Sequence, residues 1–235
     1  MGTPRAADFY ATNRGGGLFS EAISQRLGAL VALGAYRLGL APTVLTMANL
    51  LVGVATSIAV AALAGPMHDG RVAPLAVGLG ALVAWQLAYL FDCADGQLAR
   101  VTDRTSAAGR RVDVLCDVAM QVSLVAAVAT VARAYHPSSP AWLTAVFAGS
   151  WMVNLVTSEM QKGEAAASLV TSRSLVVRLV KLIRDYGAII TVIALVIALW
   201  PAGTLWVMAA FAAVNVLFLL ASIAAAARAS LRAAA

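Results

Sequence analysis

Four aspartates stand in two closely spaced pairs at the ends of apolar stretches of this 235-residue chain. Asp92 and Asp95 are three positions apart, and Asp113 and Asp117 are four positions apart. Residues three or four apart lie on one face of a helix, so each pair would present its two carboxylates side by side. Carboxylates at membrane depth are costly, and each therefore needs a partner or a function.

Divalent cations are the partners that such a group of acids favours. Four converging carboxylates would repel one another and take up protons unless cations neutralised them. Mg2+ prefers oxygen ligands and commonly joins a few carboxylates to the phosphates of a substrate. The aspartates therefore predict a site for two ions, Mg2+ or Mn2+, that acts on a phosphate-bearing substrate.

Three residues beside the first pair fit a phosphate ligand. Gly96 and Ala99 remove side-chain bulk where a ligand could approach the helix, and Arg100 offers a planar guanidinium suited to phosphate. Helix packing and the anchoring of a cation at the membrane surface would also explain them. The aspartates favour the ligand interpretation, because packing requires no acids at a membrane boundary.

The composition indicates the elements that must position these residues. The chain is 61% hydrophobic and 12% charged, with a mean hydropathy of +0.85. A soluble domain carries about 25% charged residues, so a water-soluble globule and a disordered chain are both excluded. The windows without Asp, Glu, Lys or Arg are 38–68, 72–91, 118–132, 134–158 and 186–227. Most are long enough to cross a membrane, and the last contains a turn signal that divides it.

We therefore predict an all-α fold, an integral membrane bundle of six transmembrane helices preceded by an N-terminal amphipathic interfacial helix over 18–39. Residues 1–235 are expected to form a single membrane domain, with a six-helix catalytic bundle over 43–226. The expected spans are 43–64, 72–93, 110–133, 140–160, 180–200 and 203–226. The short loop between the second and third spans makes these two helices expected antiparallel neighbours, which would bring the aspartate pairs together.

The basic residues predict the orientation. With an even number of spans both termini lie on one side, and that side holds 15 of the 17 Lys and Arg residues. The positive-inside rule places this side in the cytoplasm. We expect a multi-pass protein of the cytoplasmic membrane with both termini and the active site at the cytoplasmic face.

Residues 92–117 carry a longer pattern that includes both pairs. They read D-C-A-D-G-Q-L-A-R, then eight residues, then G-R-R-V-D-V-L-C-D. This resembles the signature D-x2-D-G-x2-A-R-x8-G-x3-D-x3-D of the CDP-alcohol phosphatidyltransferase family, and every fixed position is matched. The six-helix plan with an interfacial helix also looks like that family, so the resemblance covers nearly the whole chain.

The resemblance implies a reaction and a role for each aspartate. Members of the family move a phosphatidyl or similar group from a CDP-linked lipid, such as CDP-diacylglycerol, to an alcohol and release CMP in phospholipid biosynthesis. By position in the motif, Asp92, Asp95 and Asp113 would hold the metal ions. Asp117 would deprotonate the acceptor hydroxyl while touching the second ion. Similar enzymes are homodimers, so a homodimer is expected.

The same resemblance implies a binding site for the CDP group. Gly96, Ala99 and Arg100, which follow the first aspartate pair, would form one part of it. Ser106 and Gly109, which precede the second pair, would form another. Residues 40–46 are similar to the family's Pro-Asn-x-x-Thr stretch, although Thr43 stands where Asn is common. The implied CDP contacts are Pro42, Thr43, Val44, Thr46, Gly96, Ala99, Arg100, Ser106 and Gly109.

The acceptor is expected at a second basic stretch. Lys162, Arg173 and Arg178 would bind an anionic alcohol such as a phosphorylated polyol (inositol phosphate or glycerol phosphate), although the positive-inside bias alone would also explain them. The identity of the acceptor stays open. The expected partners are a CDP-linked lipid, a small alcohol and membrane lipid, with no nucleic acid.

Two other functions compete with this interpretation. Intramembrane prenyltransferases also use Asp-rich motifs and Mg2+, but their motifs lie on well-separated helices of a larger bundle. A non-catalytic divalent-cation-binding membrane protein is the second alternative. Released CMP distinguishes the three, because only the transferase produces it.

Overall fold

The computed structural model describes residues 3–13, 17–160 and 182–233. This part of the chain is helical and contains no β-strand. A π-helical turn, Ser20–Ser24, leads directly into the second helix, and a 3-10 turn, Pro201–Gly203, precedes the last one. The helices are α1 (Ala6–Ala11), α2 (Gln25–Arg37), α3 (Pro42–His68), α4 (Pro74–Val101), α5 (Ala107–Tyr135), α6 (Ala141–Met160), α7 (Tyr186–Leu199) and α8 (Thr204–Ala233).

Four helices in the described ranges are long and apolar enough to cross a membrane. They are α3, α4, α5, and the segment Pro201–Arg232 that contains α8. The apolar helices Ala141–Thr157 and Tyr186–Leu199 are shorter. The chain is thus an all-α, multi-pass membrane protein, whereas the count of six spans stays a prediction. Residues 180 and 181 of the fifth expected span lie outside the described residues.

Helix boundaries follow from prolines and glycines. Pro42 and Pro74 occupy the first positions of α3 and α4, where the missing N–H of proline costs nothing. Gly39 and Gly70 follow the ends of α2 and α3 with φ of 67° and 72°. This left-handed conformation lets Gly39 and Leu40 donate back to the last turn of α2, which closes the helix and turns the chain toward α3.

Helix α3 packs extensively on both α4 and α5. Gly53 of α3 permits this, because a side chain there would collide with Met120 of α5 and would touch Ala88 of α4. The ends of α4 and α5 that flank the short loop bring Asp92, Asp95 and Asp113 together, as expected from the length of the loop. This end of the bundle is called here the site end.

The segment expected to be an interfacial helix, 18–39, is helical over residues 18–37. The face of α2 that packs on α4 is made of small residues, and Gly28 lies against Cys93. The large apolar residues Ile23, Leu27 and Leu30 are 45%, 44% and 57% exposed. This distribution is typical of a helix with one face on protein and one on lipid, while its location at the membrane interface stays a prediction.

Candidate active site

The last three turns of α4 and the first three turns of α5 carry all of the motif residues. Helix α4 continues to Val101, two turns beyond the expected end, so Asp92, Asp95 and Arg100 stand on one continuous helix. A loop of five residues, 102–106, then returns the chain to α5. Within it Asp103 has a φ of 52°, and the Arg104 amide donates to the Ala99 carbonyl at 2.8 Å. The turn is thus tight, and both acidic segments lie at the site end.

Three of the four predicted aspartates come together. Asp92, Asp95 and Asp113 each offer a carboxylate oxygen, and these oxygens all lie within 4.8 Å of one another. Asp95 is 6% exposed, and the other two are half-buried. Oxygen ligands this close are the donor set that Mg2+ and Mn2+ prefer, and a cation would remove the repulsion between them. The residues fit a divalent cation.

Asp117 lies one turn further along α5 and is not one of the three closely spaced acids. It is half-buried. The structure therefore separates the predicted quartet into a close group of three and a fourth carboxylate beside it.

Helix α3 provides hydroxyl and amide groups to the close group. The Thr46 hydroxyl donates to Asp95 Oδ2 at 2.5 Å, and Thr46 is 5% exposed. Asn49 is 2% exposed and its Nδ2 lies 3.5 Å from Asp92 Oδ1, at the limit of a hydrogen bond. Thr46 was expected to contact the CDP group, yet its hydroxyl holds a carboxylate. Sequence reasoning did not predict the contact between Asn49 and Asp92. The spacing of three between Thr46 and Asn49, which puts both on one face of α3, could have indicated it.

The remaining α3 residues of the expected CDP site form its first turn. Pro42 is half-buried, whereas Thr43 and Val44 are exposed. They lie at the site end, since Thr46 of the next turn bonds to Asp95. The structure places them within the same end of the bundle as the aspartates and leaves them accessible to a ligand.

Arg100 folds back over its own helix. A Cβ atom added to Gly96 would lie 3.0 Å from Arg100 Nη1, so the glycine makes room for the guanidinium one turn later. Ala99 and Arg100 are both half-buried. Gly96 therefore packs against the guanidinium of its own helix, which the structure adds to its expected role beside the ligand.

Ser106 and Gly109 are joined at the start of α5. Ser106 is the N-cap residue, and its Oγ accepts a hydrogen bond from the Gly109 amide at 3.0 Å. Such a cap fixes the first turn of a helix. Both residues lie at the site end, and they shape the entry to the helix that carries Asp113 and Asp117; their contact with the CDP group stays a prediction.

Comparison with models of known protein families matches residues 39–221 to the CDP-alcohol phosphatidyltransferase family. The chain belongs to this family. The match begins at Gly39, ends in the middle of α8 and contains all four aspartates of the predicted site. No curated protein matches the chain.

Membership in the family establishes the general chemistry. CDP-alcohol phosphatidyltransferases are membrane enzymes of phospholipid biosynthesis that transfer substituted phosphate groups, and they generally use divalent cations. Membership also implies a CDP-alcohol donor, an alcohol acceptor and contact with membrane lipid. The close group of three aspartates is consistent with the cation requirement.

The structure describes the end of the basic stretch that is expected to bind the acceptor. Lys162, Arg173 and Arg178 lie outside the described residues. Arg184, at the end of this stretch, is described. Its Nε donates to Asn154 Oδ1 at 3.0 Å, its Nη2 donates to Thr157 Oγ1 at 2.5 Å, and the guanidinium lies 3.4 Å from the centre of the Phe218 ring. These contacts tie the start of α7 to α6 and α8.

Proposed function

We propose that this transferase moves a phosphatidyl group from CDP-diacylglycerol, or a similar CDP-linked lipid, to the hydroxyl of a phosphorylated polyol. Inositol phosphate and glycerol phosphate are the acceptors that we favour, and CMP is the second product. The observation that carries the proposal is the group of three carboxylates within 4.8 Å, located at the end of membrane-spanning helices in a chain of this family.

The close group is proposed as the metal site. Asp92, Asp95 and Asp113 would hold two Mg2+ or Mn2+ ions, with Thr46 and Asn49 orienting two of the carboxylates. When bound, such ions neutralise the diphosphate and stabilise the departing CMP. The contacts from α3 matter because groups that orient metal ligands affect metal affinity nearly as much as the ligands do.

Asp117 is the proposed general base. Its carboxylate accepts the proton of the acceptor hydroxyl as the acceptor oxygen forms a bond to the lipid-bearing phosphorus. The bond between this phosphorus and the bridging oxygen of the diphosphate breaks, and CMP leaves with that oxygen. The position of Asp117, one turn after Asp113 on α5, supports this role, because a base must lie within reach of the group that would hold the diphosphate.

The other motif residues are proposed to bind the CDP group. Arg100 presents a guanidinium to a phosphate oxygen, and Gly96 keeps it against the helix. Ala99 leaves space, and the first turn of α3 together with the Ser106 cap encloses the nucleotide from either side. These residues belong to the same helix ends as the close group, which supports a common ligand.

The sequence also supports an orientation for the reaction. The side of the membrane that carries the site end is rich in Lys and Arg, so we place the site and both termini at the cytoplasmic face of the cytoplasmic membrane. A lipid donor in the bilayer and a water-soluble acceptor can meet there. The homodimer stays a prediction.

The test is a CMP-release assay on the purified full-length protein with CDP-diacylglycerol, Mg2+ and a panel of alcohols. We expect CMP with a phosphorylated polyol and a loss of about 100-fold or more in Asp117→Asn, the range of general-base catalysis. Asp69→Asn is the matched control, because it makes the same change at the opposite end of the bundle. Absence of CMP with every acceptor, or full activity of Asp117→Asn, would contradict the proposal.

A further inference from the structure

A second buried carboxylate, Asp185, lies near the aspartates and has no part in the proposed chemistry. It is 3% exposed and forms the N-cap of α7. Its oxygens accept hydrogen bonds from the Ser20 amide at 3.0 Å, the Ser20 hydroxyl at 2.5 Å and the Ala188 amide at 3.4 Å. Each of these donors is neutral, and together they compensate the burial of the charge.

The network continues to α4. Ser20 Oγ and the Tyr89 hydroxyl are 2.8 Å apart, and since Ser20 donates its only hydroxyl proton to Asp185, Tyr89 donates to Ser20. The resulting chain from Tyr89 to Ser20 to Asp185 is called here the tyrosine–serine–aspartate network. It connects α4, the π turn and α7, which are far apart in sequence.

Two glycines allow these segments to approach. A Cβ atom on Gly17 would overlap the Asp185 carboxylate. A Cβ atom on Gly187 would lie 2.9 Å from Phe19 and 3.0 Å from Tyr89. The start of α7 is therefore packed directly against both the N-terminal segment and α4, with no space for a side chain between them.

The network lies next to the aspartate site. Tyr89 precedes Asp92 by three positions, less than one turn of α4. Tyr186, which follows Asp185, packs edge-on against Tyr89 with ring centres 5.0 Å apart. Its side chain is also within electrostatic range of Asp117 and Asp92. Asp185 thus immediately precedes the residue of α7 that packs on Tyr89, within one turn of Asp92 on α4.

The N-cap role of Asp185 accounts for only part of this arrangement. Capping α7 needs the bond from the Ala188 amide, whereas Asp185 also accepts two hydrogen bonds from Ser20. The preceding residue, Arg184, attaches the start of α7 to α6 and α8 through neutral groups and one aromatic ring. Adjacent residues thus hold this one turn from two directions, which gives it a defined position.

We propose that Asp185 is a positioning residue for the acceptor side of the active site. Through Ser20 and Tyr89 it holds the first turn of α7, and with it Tyr186, against the turn of α4 that precedes Asp92. The inference rests on the proposed function, because Asp117 as the base defines where the acceptor hydroxyl binds. It makes Ser20 of the N-terminal segment a support for this turn of α7.

The test compares Asp185→Asn and Tyr89→Phe with Ser57→Ala. Asparagine offers one accepting oxygen in place of two, and phenylalanine removes a single hydroxyl. Ser57→Ala is the control, because it removes a buried hydrogen bond from Trp85, at 3.2 Å, within the α3–α4 pair. Inositol phosphate and glycerol phosphate are each titrated at saturating CDP-diacylglycerol, CDP-diacylglycerol is titrated at a saturating acceptor, and melting temperatures are recorded.

We expect Asp185→Asn to raise the KM for the acceptor about tenfold and Tyr89→Phe to raise it by a smaller factor, the effect of one lost hydrogen bond. The KM for CDP-diacylglycerol should stay within about twofold in both. Ser57→Ala should lower the melting temperature with neither KM changed. An unchanged acceptor KM in Tyr89→Phe, or parallel changes in both KM values, would overturn the positioning role. Absence of CMP from the wild type would instead contradict the proposed function.

Discussion

The two buried acidic regions of this enzyme differ in what surrounds their carboxylates. Asp185 is surrounded by neutral donors, two from Ser20 and one from Ala188. Asp95 is almost as buried, yet two further carboxylates approach it within 4.8 Å. Hydrogen bonds alone compensate the first acid, whereas the second needs positive charge to offset its neighbours. Burial of an acid therefore does not by itself indicate a metal site, and the spacing between acids does.

The largest expected effect comes from removing one acid of the close group. Asp113→Asn should reduce both Mn2+ affinity and CMP release by more than about 100-fold, because loss of a ligand exceeds the 10- to 100-fold cost of losing a group that orients one. Mn2+ binding measured by electron paramagnetic resonance, together with the CMP assay, checks this. Asp185→Asn should leave Mn2+ affinity unchanged. Equal losses of Mn2+ affinity in the two variants would remove the distinction between the regions.

A smaller effect is expected from the hydroxyl that orients Asp95. Thr46→Val keeps the shape of the side chain but removes the hydrogen bond, so Mg2+ affinity should fall about tenfold. Raising the Mg2+ concentration should restore most of the activity. Thr56→Val is the matched control on the same helix, because the Thr56 hydroxyl bonds to the Val52 carbonyl of its own helix, at 2.7 Å, and to no other group among the described residues. Loss of activity that Mg2+ does not restore would indicate that Thr46 acts elsewhere, for example on the CDP group.

The aspartate spacing was sufficient to predict the face that each pair shares, and the uncharged windows were sufficient to predict the apolar helices. Neither could predict that α3 packs so closely on both α4 and α5. Periodicity reports which residues of one helix face the same way, whereas the choice of neighbours depends on local packing such as that of Gly53 against Met120. A short loop limits the distance between helix ends only.

Contacts between distant segments were the part of the site that sequence reasoning could not find. Ser20 and Asp185 are 165 positions apart, and a single polar residue at the end of a helix has no periodic signal. Asp185 has the same residue type and sequence setting as an ordinary N-cap, which it also is. Only the folded arrangement shows that its oxygens bind the N-terminal segment as well. The hydrogen bond from Thr46 to Asp95 also joins distant segments, and sequence reasoning missed it because the family motif assigned Thr46 to the CDP group.

The smallest effect is expected at the opposite end of the bundle, where Asp69 provides the contrast of an exposed acid. Arg71 donates to Asp69 at 2.7 Å, and this hydrogen bond lowers the pKa of the Asp69 carboxyl. A carboxyl with a lowered pKa stabilises the fold above its unfolded pKa and loses this contribution as the pH falls through its folded pKa. Asp69→Asn should therefore leave CMP release unchanged at pH 7.

The same variant should show a slightly smaller decrease in melting temperature than the wild type between pH 7 and about pH 3, since it has no carboxyl to protonate. Thermal unfolding at the two pH values measures this difference. A substantial loss of CMP release in Asp69→Asn would mean that an exposed acid with its own cation also contributes to the chemistry. Crowding of carboxylates would then no longer distinguish the site end from the rest of the enzyme.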